Sequence, residues 1–359
     1  MSEAGDRSLT AEDVFRPPRD AADQPWERLA AWLEARGQHL DDTPPRQFAG
    51  GYGNLNYLVE IDGVATVLRR PPPGPLPPGG NDMAREHRVL ARLWEAFPLA
   101  PRALALCEDA EVLGAPFLLI EYRPGLVVRG ELPPALRAAG PGISRTLVDV
   151  LADLHAVDPA AVGLDTLGRP EGFLGRTVEG WYKRAGVATG GVPPAAVGEI
   201  ADWLRDNLPD EGEVSLVHND YKLDNVILDP SSPTEPIAVI DWDMCTRGDP
   251  LLDLATLLAY WPDAADPPVM HRLGQMPGPD SGMLTRAQAL DRYASRTGRD
   301  LSDFVFHRVL GLFRLGVVFL QLHGRYRRGL VRDERFAGFR KLAEGILDFT
   351  IEVSEGRAT

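Results

Sequence analysis

Apolar positions along the chain repeat with two periods, and the change from one to the other divides it. Trp26, Leu29, Ala30 and Leu33 recur at helical spacing and Gly37 follows as a stop, which predicts a helix over Trp26–Ala35. Two short runs, Tyr57–Ile61 and Val64–Arg69, read as strands joined by Asp62-Gly63, a dipeptide that favours a tight hairpin turn. Pro71–Gly80 must be loop, because its prolines neither donate to a ladder nor continue a helix. A helix over Asn81–Phe97 and strands at Leu104–Leu106 and Phe117–Tyr122 complete this first part. Beyond Arg123-Pro124-Gly125 helical spacing takes over, at Leu147–His155, Val197–Leu208, Leu251–Tyr260, Arg286–Ser295, Phe304–His323 and Phe336–Val353. Only Val226–Leu228 and Ile237–Ile240 interrupt it as brief apolar runs. The pattern predicts an α+β chain of two lobes. Residues 1–24 form a loose tail, 25–122 a small β-rich lobe, 123–126 a linker and 127–359 a larger helical lobe.

Composition narrows the class. Of 359 residues, 44% are apolar and 25% charged, the mix of a globular enzyme with a core of ordinary size. Lys and Arg number 38 against 52 Asp and Glu, and the net charge of −14 disfavours binding to a phosphate backbone, so no nucleic-acid partner is expected. The longest apolar stretch, Val309–Leu322, is broken by Arg314 and Gln321, so no membrane span is expected either. Cys107 and Cys245 are too few for a disulfide framework or a thiolate zinc site. With a polar start that has no apolar signal core, the expected compartment is the cytosol.

Chemistry concentrates in His218-Asn219-Asp220-Tyr221-Lys222-Leu223-Asp224-Asn225, followed by an apolar run and Ile240-Asp241-Trp242-Asp243. Phosphoryl transfer needs a carboxylate to orient the attacking hydroxyl and hard oxygen ligands to hold magnesium against nucleotide phosphates. Asp220 suits the first role, and Asn225 and Asp241 suit the second. Glu86 makes a separate argument. It falls on the apolar stripe Met83, Leu90, Leu93, Phe97, where a carboxylate is costly unless a cation meets it.

The set of motifs resembles the aminoglycoside phosphotransferase and choline kinase-like family. The loop H-x-D-x-x-x-x-N, the run Ile240-Asp241-Trp242-Asp243 and the later Gly248-Asp249-Pro250-Leu251-Leu252-Asp253 carry the likeness, which extends over roughly residues 44–350. The resemblance implies a two-lobed protein-kinase-like fold and a magnesium- and ATP-dependent (or GTP-dependent) phosphotransferase acting on an alcohol. It implies Asp220 as base, Asn225 and Asp241 as magnesium ligands, His218 as a brace and Asp253 as the loop's anchor. Lys222 would touch the transferring phosphoryl group. Gly50, Gly51 and Gly53 would form a phosphate loop, and the backbone of Glu121 and Arg123 would meet adenine at the hinge. Arg69 stands where the family places lysine on the third strand, and there it would pair with Glu86.

Other kinds of kinase fit less well. Nine residues between Asp241 and Leu251 are too few for a peptide-docking activation segment, which speaks against a protein kinase. An antibiotic phosphotransferase and a nucleotide-binding pseudokinase remain as alternatives. Polycationic aminoglycosides need carboxylates in the acceptor wall, whereas Phe304–His323 and the stretch after it carry His307, Arg308, Arg314, Arg325, Arg327, Arg328 and Arg332, the last of which lies outside the residues the structure describes. Within the family, Val67-Leu68-Arg69-Arg70-Pro71, Arg85-Glu86-His87 and Phe313-Arg314-Leu315 look most like the kinase domain attached to some acyl-CoA dehydrogenases. That likeness implies a small hydroxy acid or hydroxyacyl-CoA acceptor. Arg314, with an anionic partner such as Asp243 or Asp249 or the acceptor itself, is the residue expected to hold it.

Overall fold

The computed structural model describes residues 14–50, 53–74, 80–331 and 333–358. The chain divides into two compact units, Met1–Pro124 with Ile237–Cys245, and Gly125–Pro236 with Thr246–Thr359.

In the first unit, α1 (Trp26–Glu34) precedes β1 (Arg46–Gln47) and the hairpin of β2 (Leu55–Ile61) and β3 (Val64–Arg70). After α2 (Met83–Leu93) come β4 (Ala103–Cys107), the short α3 (Ala110–Leu113) and β5 (Phe117–Glu121). The five strands form one antiparallel sheet in the order β1-β2-β3-β5-β4. Leu29 and Leu33 of α1 pack with Tyr57, Val59, Leu68, Phe117 and Leu119 of the sheet to make the core. The α2 helix starts where Asp82 accepts from the Arg85 amide at 3.0 Å, a side-chain N-cap. Its first turn contains Glu86, fully buried as the stripe requires.

Two expectations are corrected by the structure. Residues 14–24 are not a loose tail. Phe15 bridges to Phe48, the Tyr57 hydroxyl donates to the Ala22 carbonyl at 2.8 Å, and buried Arg70 donates to the Gln24 side chain. Polar satisfaction of a buried arginine thus ties this segment to the sheet. Residues 1–13 lie outside the described part. Ile237–Cys245, assigned by its position in the sequence to the helical lobe, folds with the first unit. The Val239 amide donates to Leu99 at 2.8 Å, and Trp242 meets Phe97 edge-on with centroids 6.0 Å apart.

The second unit begins with β6 (Leu126–Val127) and the helices α4 (Gly140–His155), α5 (Phe173–Ala188) and α6 (Ala195–Asp206). Then come β7 (Ser215–Val217), β8 (Val226–Leu228), β9 (Pro236–Val239), which runs into the first unit, and β10 (Thr246–Gly248). The helices α7 (Pro250–Tyr260), α8 (Pro268–His271), α9 (Arg286–Thr297), α10 (Val305–Arg327) and α11 (Phe339–Ser354) complete the unit. β7 pairs with β10, and β6 with β8. The sequence reading missed α5, although Leu174, Val178, Trp181 and Ala185 are buried at spacings of four, three and four. Gly180 and Gly186 weaken its intrinsic propensity. The axis of the unit is α10, which packs on α5, α6, α7 and α11. It approaches α7 backbone to backbone, since a Cβ on Gly311 would stand 2.6 Å from the Ala255 carbonyl oxygen. By length and composition α10 would suit a membrane, but 72% of its apolar window is buried inside the unit, as in the core helix of a soluble fold.

Candidate active site

The second unit holds the loop that carries Asp220. It leaves β7 at Val217, and the next residues are fixed by a carboxylate from α7. Asp253 is fully buried; its Oδ1 accepts from the Asn219 amide at 2.7 Å, and its Oδ2 accepts from the His218 amide. Burial works against an ionised Asp253, but the hydrogen bond from His155 and the proximity of His155 and His218 hold its carboxyl below the usual value. His155 bridges Asp253, 3.4 Å from Nε2, and the Tyr293 hydroxyl, 2.6 Å from Nδ1, so it is a packed histidine of the core. His218 is buried and its Nδ1 accepts from the Asp220 amide at 3.3 Å.

α7 delivers Asp253 through its own start. Asp249 caps the helix by accepting from the Leu251 amide at 2.8 Å, and Pro250 occupies the first position, where no N–H is needed. Gly248 is required by space, because a Cβ there would lie 2.6 Å from the Phe173 ring. The run Gly-Asp-Pro is therefore a helix-start device that aims a carboxylate one turn later.

Within the loop, Lys222 Nζ lies 2.7 Å from Asp220 Oδ2. Burial lowers the Lys222 ammonium, but Asp220 and Asp224 outweigh it and hold the pKa well above the ordinary lysine value. The Asn225 amide nitrogen donates to the Asp220 carbonyl at 2.8 Å and to its Oδ2 at 3.3 Å. The amide oxygen of Asn225 is thus the end not spent on Asp220, and it is a hard donor of the kind magnesium takes.

The first unit gathers carboxylates around one cation. Arg69 Nε donates to Glu86 Oε2 at 2.7 Å, its Nη2 pairs with Asp241, and Asp243 Oδ2 is 3.6 Å from Nη2. Burial pushes Glu86 up to about 7 against the pull of Arg69. Burial and the neighbouring Asp241 raise Asp243 as well. Glu86 also accepts from the Trp242 amide at 3.2 Å. Asp241 sits at φ 74°, a left-handed backbone that costs a non-glycine residue energy and persists only where surroundings enforce it. Its side chain is 34% exposed.

The other expected residues are spread between the two units. Gly50 and Gly53 lead into β2, while Gly51 lies outside the described residues. Glu121 and Arg123 meet through side chains at 3.0 Å, and Arg123 also donates to the Ile237 carbonyl at 3.2 Å. Asp243 is held by its own neighbours. It accepts from the Asn54 side chain and the Asn81 amide, each at 3.0 Å, within the first unit. Asn54 and Asn81 were missed by sequence reading; their signal is an asparagine directly after Gly53 and another just before α2, at φ 60°. Arg314 has neither expected carboxylate. Asp249 pairs with His307 at 2.9 Å, and Arg314 Nη2 donates to the Asn219 carbonyl at 2.7 Å.

Residues 44–290 match the profile of the phosphotransferase enzyme family. The chain belongs to that family. Among curated proteins it is 31% identical over 323 residues to acyl-CoA dehydrogenase family member 10 of Mus musculus, covering 88% of this chain and 29% of that protein. Member 11 of Rattus norvegicus is 34% identical over 293 residues, covering 79% and 36%. The chain thus spans about a third of the length of these curated relatives. A solved structure from Ralstonia eutropha, provisionally called an aminoglycoside phosphotransferase, matches with a TM-score of 0.75 at 26% identity, over 94% of this chain and all of that one. An aminoglycoside phosphotransferase in ternary complex with AMP-PNP and hygromycin B matches with a TM-score of 0.57, over 91% of this chain and 99% of that one. At 18% identity that likeness speaks for the fold alone.

The loop reads His218-Asn219-Asp220, and the structure explains why asparagine serves at its middle position. Asn219 has φ 67°, and asparagine is among the few side chains that tolerate this backbone.

Proposed function

We propose that this chain is a small-molecule kinase that moves the γ-phosphoryl group of ATP, or GTP, to an alcohol oxygen, and that its acceptor is a hydroxy acid or hydroxyacyl-CoA. The observation that carries the reading is the Asp220 carboxylate, oriented by the Asn225 amide with the Lys222 ammonium 2.7 Å away. A carboxylate so held receives the proton of an attacking hydroxyl, and a buried ammonium beside it balances negative charge on the transferring group. The acceptor oxygen bonds to the γ-phosphorus, the bond from phosphorus to the bridging oxygen breaks, the proton passes to Asp220, and the nucleoside diphosphate leaves.

Asn225 and Asp241 would hold magnesium, which supplies charge neutralisation at the nucleotide phosphates. Both offer oxygen donors suited to it. The acceptor class is supported by the sequence likeness to acyl-CoA dehydrogenase family members and by the arginines of α10. The cytosol as compartment belongs to the same reading.

The test is a coupled ADP-release assay over hydroxy acids, their CoA thioesters and kanamycin-type polyamines, run beside an Asp220→Asn protein. Transfer to an acyl-bearing alcohol that disappears in the variant is the expected result. Efficient use of the polyamines with poor use of the acyl compounds would overturn the acceptor class. Equal turnover by the variant would overturn the mechanism.

A further inference from the structure

A buried arginine in the second unit has a donor with nothing to give to. Arg314 on α10 is 6% exposed, and its Nη1 is buried without a hydrogen-bond partner among the described residues. The guanidinium is anchored from its other side, where Nη2 donates to the Asn219 carbonyl at 2.7 Å, directly before the proposed base Asp220. No carboxylate stands within ion-pair distance of it among the described residues. Asp253 and Asp220 act on it only from farther away, and burial lowers its pKa. Buried donors in native folds are nearly always matched, so an unmatched one beside a reacting loop asks for an acceptor from outside the chain.

The surroundings describe what kind. The Arg314 guanidinium lies 5.2 Å from the Trp181 ring centroid, and Arg184 lies 4.6 Å from the same ring. Two guanidinium groups therefore share one apolar wall. A polyamine would bring ammonium groups against like charge. A compound with an oxygen at one end and hydrocarbon next to it satisfies Nη1 and covers the indole.

We propose that Arg314 recognises the acceptor by donating Nη1 to its acyl oxygen, whether of a carboxylate or of a thioester carbonyl, with Trp181 against the adjoining carbon chain. This rests on the phosphotransferase reading and adds a selection rule. Because the same guanidinium is fixed to the residue before Asp220, the distance from acyl oxygen to hydroxyl is read as a length, and hydroxyl position along the chain decides which compounds react.

The experiment uses the full chain as wild type, Arg314→Met and Arg314→Lys. Acceptors are matched sets of graded length: hydroxycarboxylates, their CoA thioesters, and diols that lack the acyl oxygen. Binding is measured by calorimetry without nucleotide, and turnover by ADP release. Arg314→Met should weaken binding and raise KM for acyl compounds roughly tenfold or more, about 1.4 kcal/mol, and leave the KM of ATP unchanged. The diols should change by less than about a factor of two, and Arg314→Lys should recover part of the loss, since it keeps a cationic donor without the planar fork. The carboxylate and thioester arms identify which source supplies the oxygen. Parallel losses for acyl compounds and diols would overturn the proposal, as would a drop in melting temperature with no change in relative affinity, or a wild type that binds no acyl compound. If acyl compounds bind in an Arg314-dependent way and no phosphate is transferred, the kinase reading fails and the subsite stands. If phosphate is transferred and Arg314 makes no distinction, the reverse holds.

Discussion

Arg69 offers the sharpest test of how the first unit is held together. Its guanidinium serves Glu86, Asp241 and Asp243, and Glu86 is 1% exposed. Arg69→Met removes the cation and leaves two buried carboxylates side by side. Breaking a buried ion pair by deleting one partner costs about 3–5 kcal/mol, and with more than one carboxylate stranded the upper half of that range is expected. Glu86→Gln is milder, at about 1.5–3 kcal/mol, the worth of a charged hydrogen bond. Its amide oxygen still accepts from the Trp242 amide, now 3.2 Å from Glu86, and Arg69 keeps Asp241 and Asp243. In the Arg69→Met background, Glu86→Gln removes a stranded charge, so the double variant should be more stable than the summed single effects by about 1–3 kcal/mol.

Urea unfolding of the full chain measures these differences, with an unchanged slope showing that the same transition is followed. Amide exchange at Trp242 reports the site locally. Additivity within about 0.5 kcal/mol would refute the argument, because it would mean that the two side chains do not share one electrostatic environment. The pH dependence has a fixed sign. An acid whose folded pKa is raised, as Glu86 is to about 7, binds more protons folded than unfolded. Its contribution therefore falls as pH rises from the ordinary carboxylate value toward 7, and in Arg69→Met, without the cation that lowers Glu86, the fall should extend to higher pH.

The remaining tests address the chemistry. Asp220→Asn should lower kcat by roughly 10² or more with nucleotide affinity retained, checked by ADP release and nucleotide titration; lost nucleotide binding with normal turnover at saturation would contradict the role. Asp241→Ala should abolish transfer and leave the melting temperature within a few degrees, since Arg69 keeps Glu86 and the Asp241 side chain is 34% exposed; near-normal turnover would remove it from metal binding. Asn219→Gly should be nearly neutral in stability, whereas Asn219→Val should lose about 1–2 kcal/mol by thermal melting, because a branched side chain at φ 67° is strained.

The features legible in the sequence are those that local rules dictate. The β2–β3 hairpin was announced by Asp62-Gly63, and the structure places both residues at positive φ. A carboxylate on an apolar stripe called for a cation, and the resemblance to the family's third strand named Arg69 as its partner, which is the contact the structure makes. The family was legible because its motifs are clusters of chemistry at fixed spacing. Long-range placement was not legible. Nothing in Ile237–Cys245 taken alone says that it leaves the helical unit, since its partners, Leu99, Phe97 and Glu86, lie more than a hundred residues earlier. The same holds for residues 14–24, whose order depends on the polar needs of Arg70 and Tyr57.

The motif Gly248-Asp249-Pro250 shows why a pattern can be recognised before it is understood. Each residue answers a different physical demand: room for the Phe173 ring, a cap for α7, and a first position without a donor. Their effect on the reacting loop is indirect. They set the start of α7, and from that start Asp253 is one turn along the helix, where it takes the amides of His218 and Asn219. A carboxylate that accepts two successive amides fixes the backbone ahead of Asp220, and Asn219 is the residue that bears the resulting left-handed turn. The left-handed turn and the anchored helix are thus one device. That ties the tolerance for asparagine at this position to the same residues that fix the base.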